Sequence, residues 1–150
     1  MATRDCPCGS AERYAKCCGV FHDGAREPET PETLMRSRYA AFALGRGDWL
    51  EKTLARDHAD RATPNLAREL GRVKDKQRFL GLRVLFAKGD EVLFHARIFE
   101  RGVDRSFAEL STFVREDGAW RYASGILVPA SELPADLDSL DRDAFLALAR

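Results

Sequence analysis

Hydrophobic positions along this chain change their period once. From Leu34 to Val73 they recur at three and four residues, the period of helices with one buried stripe. After Lys76 they alternate, the period of strands with one buried face. Thr30-Pro31-Glu32-Thr33 supplies an N-cap, a proline at the first helical position and an early acid, followed by Leu34, Met35, Tyr39 and Phe42. This predicts a helix over 31–44, ended by Gly45. Asp48-Trp49-Leu50-Glu51 has the form of a capping box and predicts a short second helix over 48–55. Thr63-Pro64 repeats the cap-and-proline device ahead of Leu66, Leu70 and Val73, the buried stripe of a third helix.

Leu80, Leu82, Val84 and Phe86 then form one face of a first strand, and Val92, Phe94, Ala96 and Ile98 one face of the next. Lys88-Gly89-Asp90, Arg101-Gly102-Val103-Asp104 and Asp117-Gly118 read as turns, the last a strong two-residue hairpin signal. The predicted strands are 79–87, 91–100, 105–116 and 119–127. Three helices followed by a four-stranded antiparallel meander make an α+β architecture, with the helices covering one face of the sheet. From Pro129 the chain is acidic until Ser139, and Leu140, Phe145, Leu146 and Leu148 predict a last short helix that docks back. The expected division is an N-terminal knob over 1–26, a main domain over 27–128 and an extension over 129–150.

Composition narrows the function. A chain of 150 residues, 45% hydrophobic, is about one domain's worth and can bury a single core. Its 24 Lys+Arg against 24 Asp+Glu exclude a uniformly cationic binder. The segment from Arg61 to Lys88 is locally basic, with eight cations against Glu69 and Asp75, and reads either as a solvated face or as a weak RNA contact. No apolar run approaches the roughly 18 residues of a membrane span, and none follows the N-terminus as in a secretory leader, so a cytoplasmic location is expected.

The sharpest chemical signal is Cys6-Pro7-Cys8-Gly9-Ser10, eight intervening residues after Cys8, then Cys17-Cys18. Zinc takes four soft ligands at tetrahedral corners, and two close cysteine pairs joined by a short loop can supply them. Gly9 and Ser10 allow a tight turn that aims backbone N–H groups at sulfur, while Arg13 and Lys16 offset the charge of a four-thiolate site. The same thiols could instead be free, disulfide-paired or a redox device.

This run resembles the SEC-C zinc motif, known from the C-terminal tail of the SecA preprotein translocase and from many otherwise unrelated bacterial proteins. In the translocase version a histidine directly after the third cysteine is the fourth ligand; here Cys18 holds that position. The resemblance implies zinc on Cys6, Cys8, Cys17 and Cys18, with His22 in reserve if Cys18 points away. Farther on, Leu34-Met35-Arg36-Ser37-Arg38-Tyr39-Ala40-Ala41-Phe42 and Glu109-x-Ser111-x-Phe113-x-Arg115-x-x-Gly118-x-Trp120-x-Tyr122 resemble the YchJ family, which joins an N-terminal SEC-C motif to a middle domain similar to nuclear transport factor 2. That resemblance covers 5–125 and implies a curved sheet whose concave face meets the helices around a conical cavity. Two departures from the family pattern stand out: Phe79 takes the place of a tryptophan, and the stretch before His58 lacks the tryptophan that the pattern carries there.

The family brings no assigned reaction, and the chain shows no nucleophile elbow, phosphate loop, dinucleotide fingerprint or H-E-x-x-H. The expectation is a zinc-binding interaction protein rather than an enzyme, its knob contacting a protein partner, ribosomal or secretion-related, with the cone-shaped domain as scaffold. The alternative is a small-molecule enzyme pairing Glu109 with His58 or His95 in the cavity. Tracking faces places Arg38 on the buried stripe of the first helix and Glu109 on the covered sheet face. The candidate pocket is therefore Arg38, Tyr39, Glu109, Ser111 and Tyr122, with an expected Arg38–Glu109 ion pair.

Overall fold

The computed structural model describes residues 4–149. Among these, the α-helices are α1 (Cys18–His22), α2 (Pro31–Leu44), α3 (Gly47–Lys52), α4 (Leu66–Gly71) and α5 (Arg142–Leu148). The strands are β1 (Arg78–Lys88), β2 (Glu91–Glu100), β3 (Val103–Asp104), β4 (Phe107–Glu116) and β5 (Ala119–Pro129). They form one antiparallel sheet in the order β1-β2-β4-β5, with the short β3 pairing only with the end of β2. The α+β reading and the meander are as expected.

Local chemistry sets the element ends. The Thr30 hydroxyl accepts from the Thr33 N–H at 3.1 Å, Pro31 opens α2, and Gly45 closes it at a φ of 79°. The other two predicted caps do not form. Asp48 turns to Arg46, 3.3 Å away, and leaves the start of α3 without a side-chain cap. Thr63 closes the preceding 3-10 turn through its N–H to Asp60 and stays extended ahead of Pro64. Asn65 then takes a left-handed conformation, φ 56°, so α4 starts only at Leu66.

Bulges alter one predicted face. The register of β1 on β2 shifts between Phe79 and Gly81 and again between Val84 and Phe86. Each shift reverses the alternation beyond it. Phe79, Leu82 and Val84 therefore point toward the helices, Leu80 is exposed, and Phe86 joins the opposite side of the sheet. The first bulge is held by the Tyr39 hydroxyl, which accepts from the Gly81 N–H at 3.0 Å.

Both faces of the sheet are covered. On the front, Val92, Phe94, Ala96, Ile98 and Phe113 meet Leu34, Met35, Tyr39, Trp49 and Leu50 of α2 and α3. On the back, Leu93, Ala108, Leu110 and Val128 are closed off by Leu140 and Phe145 of the C-terminal segment. That segment is tied down by the Arg142 guanidinium on Glu91, at 2.7 and 3.1 Å, by an Arg83–Asp138 pair, and by the Asp141 cap on the Ala144 N–H. The predicted last helix thus docks on the face the first three leave bare. Phe145 is fully buried there. Phe145→Ala is expected to lower unfolding stability by about 3 kcal/mol and to release the C-terminal segment to rapid amide exchange, read by urea titration and hydrogen exchange.

Candidate functional site

Two constellations stand out, one at each side of α2. In the N-terminal knob the ligand atoms of Cys6, Cys8, Cys17 and Cys18 all lie within 4.8 Å of one another. The first pair sits on a turn in which the Gly9 N–H donates to Cys6 O; Gly9 has a φ of 83°, where a side chain would be strained and would press on the Leu82 carbonyl. The second pair lies where a 3-10 turn, Tyr14–Lys16, runs into α1, so Cys17 and Cys18 reach the cluster from one short helical entry. Ser10 Oγ lies 3.1 Å from the Cys17 sulfur.

Crowding makes the thiols unequal. Cys18, buried and crowded by the sulfurs of Cys6 and Cys8, is pushed far above the usual thiol range. Cys8, set among the sulfurs of Cys18 and Cys6, is pulled far below it, and its sulfur lies 3.6 Å from that of Cys17. Four negative sulfurs at this separation repel one another unless a cation sits among them. The donor set is all thiol and closed, the chemistry of a structural metal site rather than of one with an open position. Arg13 and Lys16 are exposed at its edge.

His22 is not a reserve ligand. Its Nε2 lies 2.8 Å from the Ser37 carbonyl, which can only accept, so Nε2 carries the proton; Nδ1 then accepts from the Tyr14 hydroxyl at 2.6 Å. Both ring nitrogens are spent, Nε2 clamping α1 to α2 and Nδ1 tying it to the Tyr14 turn. Arg36 adds a bond from its guanidinium to Cys8 O at 2.8 Å, and Ala40 and Leu82 pack against the cysteines. The knob is seated on α2 and β1.

On the other side of α2 lies a cavity of about 250 Å³. Its walls are mainly apolar, from Met35, Phe42, Phe79, Phe94, Phe107 and Phe113, and its polar corner holds Arg38, Glu109, Ser111 and Tyr122, with Tyr39 in the wall and Asp60 at the rim. All five expected pocket residues therefore share one space. The expected Arg38–Glu109 ion pair does not form. Arg38 Nη1 donates instead to Leu50 O at 2.9 Å and Thr53 Oγ1 at 2.6 Å, and the guanidinium lies over the Tyr122 ring at 4.8 Å. Glu109 Oε2 accepts from Ser111 Oγ at 2.6 Å and from the Tyr122 hydroxyl at 2.8 Å. Tyr122 stands between the two charges. Burial pulls Arg38 down to about 10, still protonated at neutral pH, and burial followed by the Glu109 charge pushes Tyr122 up.

The edge of β5 is bent to place Tyr122. The register on β4 shifts beside Phe113, and Tyr122 exchanges backbone bonds with Thr53 and Ala55 at 2.7 and 2.9 Å. Gly125 lies opposite Ser111, and a Cβ there would collide with the Glu109 carboxylate and the Tyr122 hydroxyl.

Residues 30–125 match the family model described as YchJ, middle NTF2-like domain. The chain belongs to the YchJ family. A UPF0225 protein of Deinococcus radiodurans is 43% identical over 122 residues, covering 79% of this chain and 86% of that one. Another, of Streptomyces coelicolor, is 40% identical over 131 residues, covering 83% and 97%. The fold is similar to the solution structure of a SEC-C motif containing protein from Rhodopseudomonas palustris, with a TM-score of 0.69, 35% identity and coverage of 81% and 97%. It is also similar to the crystal structure of a SEC-C motif containing protein from Psychrobacter arcticus, with a TM-score of 0.68, 25% identity and 81% of each chain covered.

The two long family motifs build the cavity. The first is α2 itself; in the second, Glu109, Ser111, Phe113 and Tyr122 face inward, while Arg115 stacks on Trp120, whose indole N–H donates to Glu29 O ahead of α2. Phe79, at the tryptophan position, packs between Tyr39 and Phe42. Among the described residues no histidine lines the cavity: His58 accepts the Asp60 N–H and lies outside it beside the Tyr122 ring, and His95 sits on the opposite sheet face opposite Ala108. The acid–base pairing of Glu109 with a histidine is therefore not built.

The basic segment is partly consumed. Arg61 donates to the carbonyls of Leu54 and Ala55, Lys74 pairs with Asp75, and Arg83 with Asp138. Sequence reasoning missed Thr53, Asp60 and Gly125; only Gly125 carried a signal, since a glycine inside a strand marks close approach.

Burial holds His22 below its ordinary value. The unfolded chain therefore takes up the proton first, and the stability His22 contributes is present above about pH 6.5 and is lost as pH falls through its lowered folded value. His22→Gln, which cannot titrate, is expected to flatten the pH dependence of unfolding as pH falls below about 6.5, compared by denaturant titration with the parent chain.

Proposed function

We propose that this chain is a zinc protein whose metal is structural and whose knob is a protein-interaction module. Cys6, Cys8, Cys17 and Cys18 hold one zinc ion as thiolates. The observation that carries this reading is the convergence of four thiol sulfurs within 4.8 Å, with no room in the donor set for a water or substrate. Zinc is favoured over harder cations because every donor is a soft sulfur. With the ligand set closed, the metal orders backbone rather than performs chemistry. What it orders is an exposed polar surface, Ser10 to Arg13 with Lys16, suited to a protein partner. The cone-shaped domain is the scaffold that carries this surface.

Protein purified without chelator is expected to contain one zinc per chain by elemental analysis, with four thiols unreactive until the metal is removed; stoichiometric absence of zinc overturns the assignment. Cys8→Ser is expected to release residues as far as about Val20, because metal binding contributes roughly 10 kcal/mol or more to so small a unit, while the strands keep their circular dichroism signal. The interaction role is checked by capture with the zinc-loaded chain and with an Arg13→Glu, Lys16→Glu variant. Loss of one defined protein in the variant supports it, and identical captured sets overturn it.

A further inference from the structure

The polar corner of the cavity is unfinished. Arg38 has five N–H donors, and its Nη1 pair is spent on Leu50 O and Thr53 Oγ1. The remaining three, on Nε and Nη2, have no partner among the described residues. No buried side-chain nitrogen or oxygen there is both sealed and unpaired. Arg38 is only 9% exposed and lines the cavity, so those N–H groups open onto it. Glu109 is in the complementary position. Its Oε2 is doubly occupied by Ser111 and Tyr122, Oε1 has no partner among the described residues, and Glu109 lines the same cavity. The two charges do not close on each other within 4.0 Å.

This arrangement selects by charge and by polarity. An anion is drawn to Arg38 but meets Glu109, with Asp60 at the rim adding to the repulsion. A cation meets the reverse. A hydrocarbon fills the aromatic walls and leaves three donors and one carboxylate oxygen dry and unpaired. A neutral head that carries an acceptor beside a donor satisfies both sides at once. The volume of about 250 Å³ is near the lower limit for ligand pockets, room for a body of about one ring.

We propose that this cavity binds a small neutral molecule with an apolar or aromatic body and a primary-amide-type head, its carbonyl accepting from Arg38 and its N–H donating to Glu109.

The test titrates the full zinc-loaded chain with benzamide, benzoate, benzylamine and toluene, reading the Arg38 Nε–H resonance and the backbone amides of Glu109 and Tyr122. Benzamide is expected to shift them saturably and to bind about tenfold more tightly than the other three, the difference of roughly one matched hydrogen bond. Glu109→Gln keeps an oxygen for Ser111 and Tyr122 but turns an N–H toward the ligand. It is expected to weaken benzamide about tenfold and to make benzoate the preferred probe. Benzoate or benzylamine binding the parent chain as tightly as benzamide overturns the proposal. So does toluene matching benzamide, an unchanged order in Glu109→Gln, or no saturation by any probe. If the variant does not fold, the parent chain's ranking of the four probes decides alone.

Discussion

Helix α2 is buried over most of its circumference, and that burial decides where each polar group at the centre of the molecule must go. Leu34, Met35, Ser37, Arg38, Tyr39, Ala40 and Ala41 are all buried, so consecutive positions face different neighbours instead of sharing one stripe. A helix in that setting cannot leave a hydroxyl or a guanidinium to bulk water, and each must find a partner in protein. Ser37 donates to Leu34 O, accepts from the Trp49 indole and offers its own carbonyl to His22. Arg36 turns to the knob, Arg38 to the end of α3 and Tyr39 to the bulge of β1. Four successive residues thereby fix the knob, the helical layer and the sheet relative to one axis.

Much of this was legible in the sequence where local chemistry and global packing agree. The Thr30-Pro31 start of α2, its Gly45 stop and the Asp117-Gly118 hairpin stand as expected because each is decided within a few residues. The faces of Arg38 and Glu109 were legible for the same reason, since period alone assigns a side. What period cannot give is which partner within that side is reached first. Thr53 and the Leu50 carbonyl lie at the frayed end of α3, where orphan acceptors collect, and they capture Arg38 before Glu109 can. The bulge beside Leu80 was illegible because it answers to a tertiary contact, the Tyr39 hydroxyl, and the one beside Leu85 carries no local signal in the sequence.

The C-terminal segment shows the same limit from another direction. The continuous apolar run Val92-Leu93-Phe94 means a strand buried on both faces, and a single helical layer covers only one. A second cover was thus required, and Leu140 and Phe145 supply it. With the back face closed by the tail, the front face need not be packed to capacity for the sheet to be stable. A cavity on that side is tolerable because the core does not depend on it alone.

Arg38 is the residue that packing does not explain. A buried guanidinium loses its hydration, and two hydrogen bonds and one ring face recover only part of that loss. Methionine or leucine at this position would fill the same helix-to-sheet space without the desolvation cost, and the Thr53 hydroxyl would keep its bond to Trp49 O, with Leu50 O 3.4 Å from it. The tyrosine beside it is equally over-provisioned: Tyr122 both stacks on Arg38 and donates to Glu109, at the one point where β5 is bent and pinned to the loop after α3. Strand curvature, a strand glycine cleared of side chain and a bent edge all converge on keeping two opposite charges near each other but apart. Letting the two charges meet would have been the cheaper way to bury them. Held apart, they leave N–H groups of Arg38 and one oxygen of Glu109 without a protein partner among the described residues, beside a largely apolar space, so that polar capacity at the centre of the scaffold is not used by its own packing.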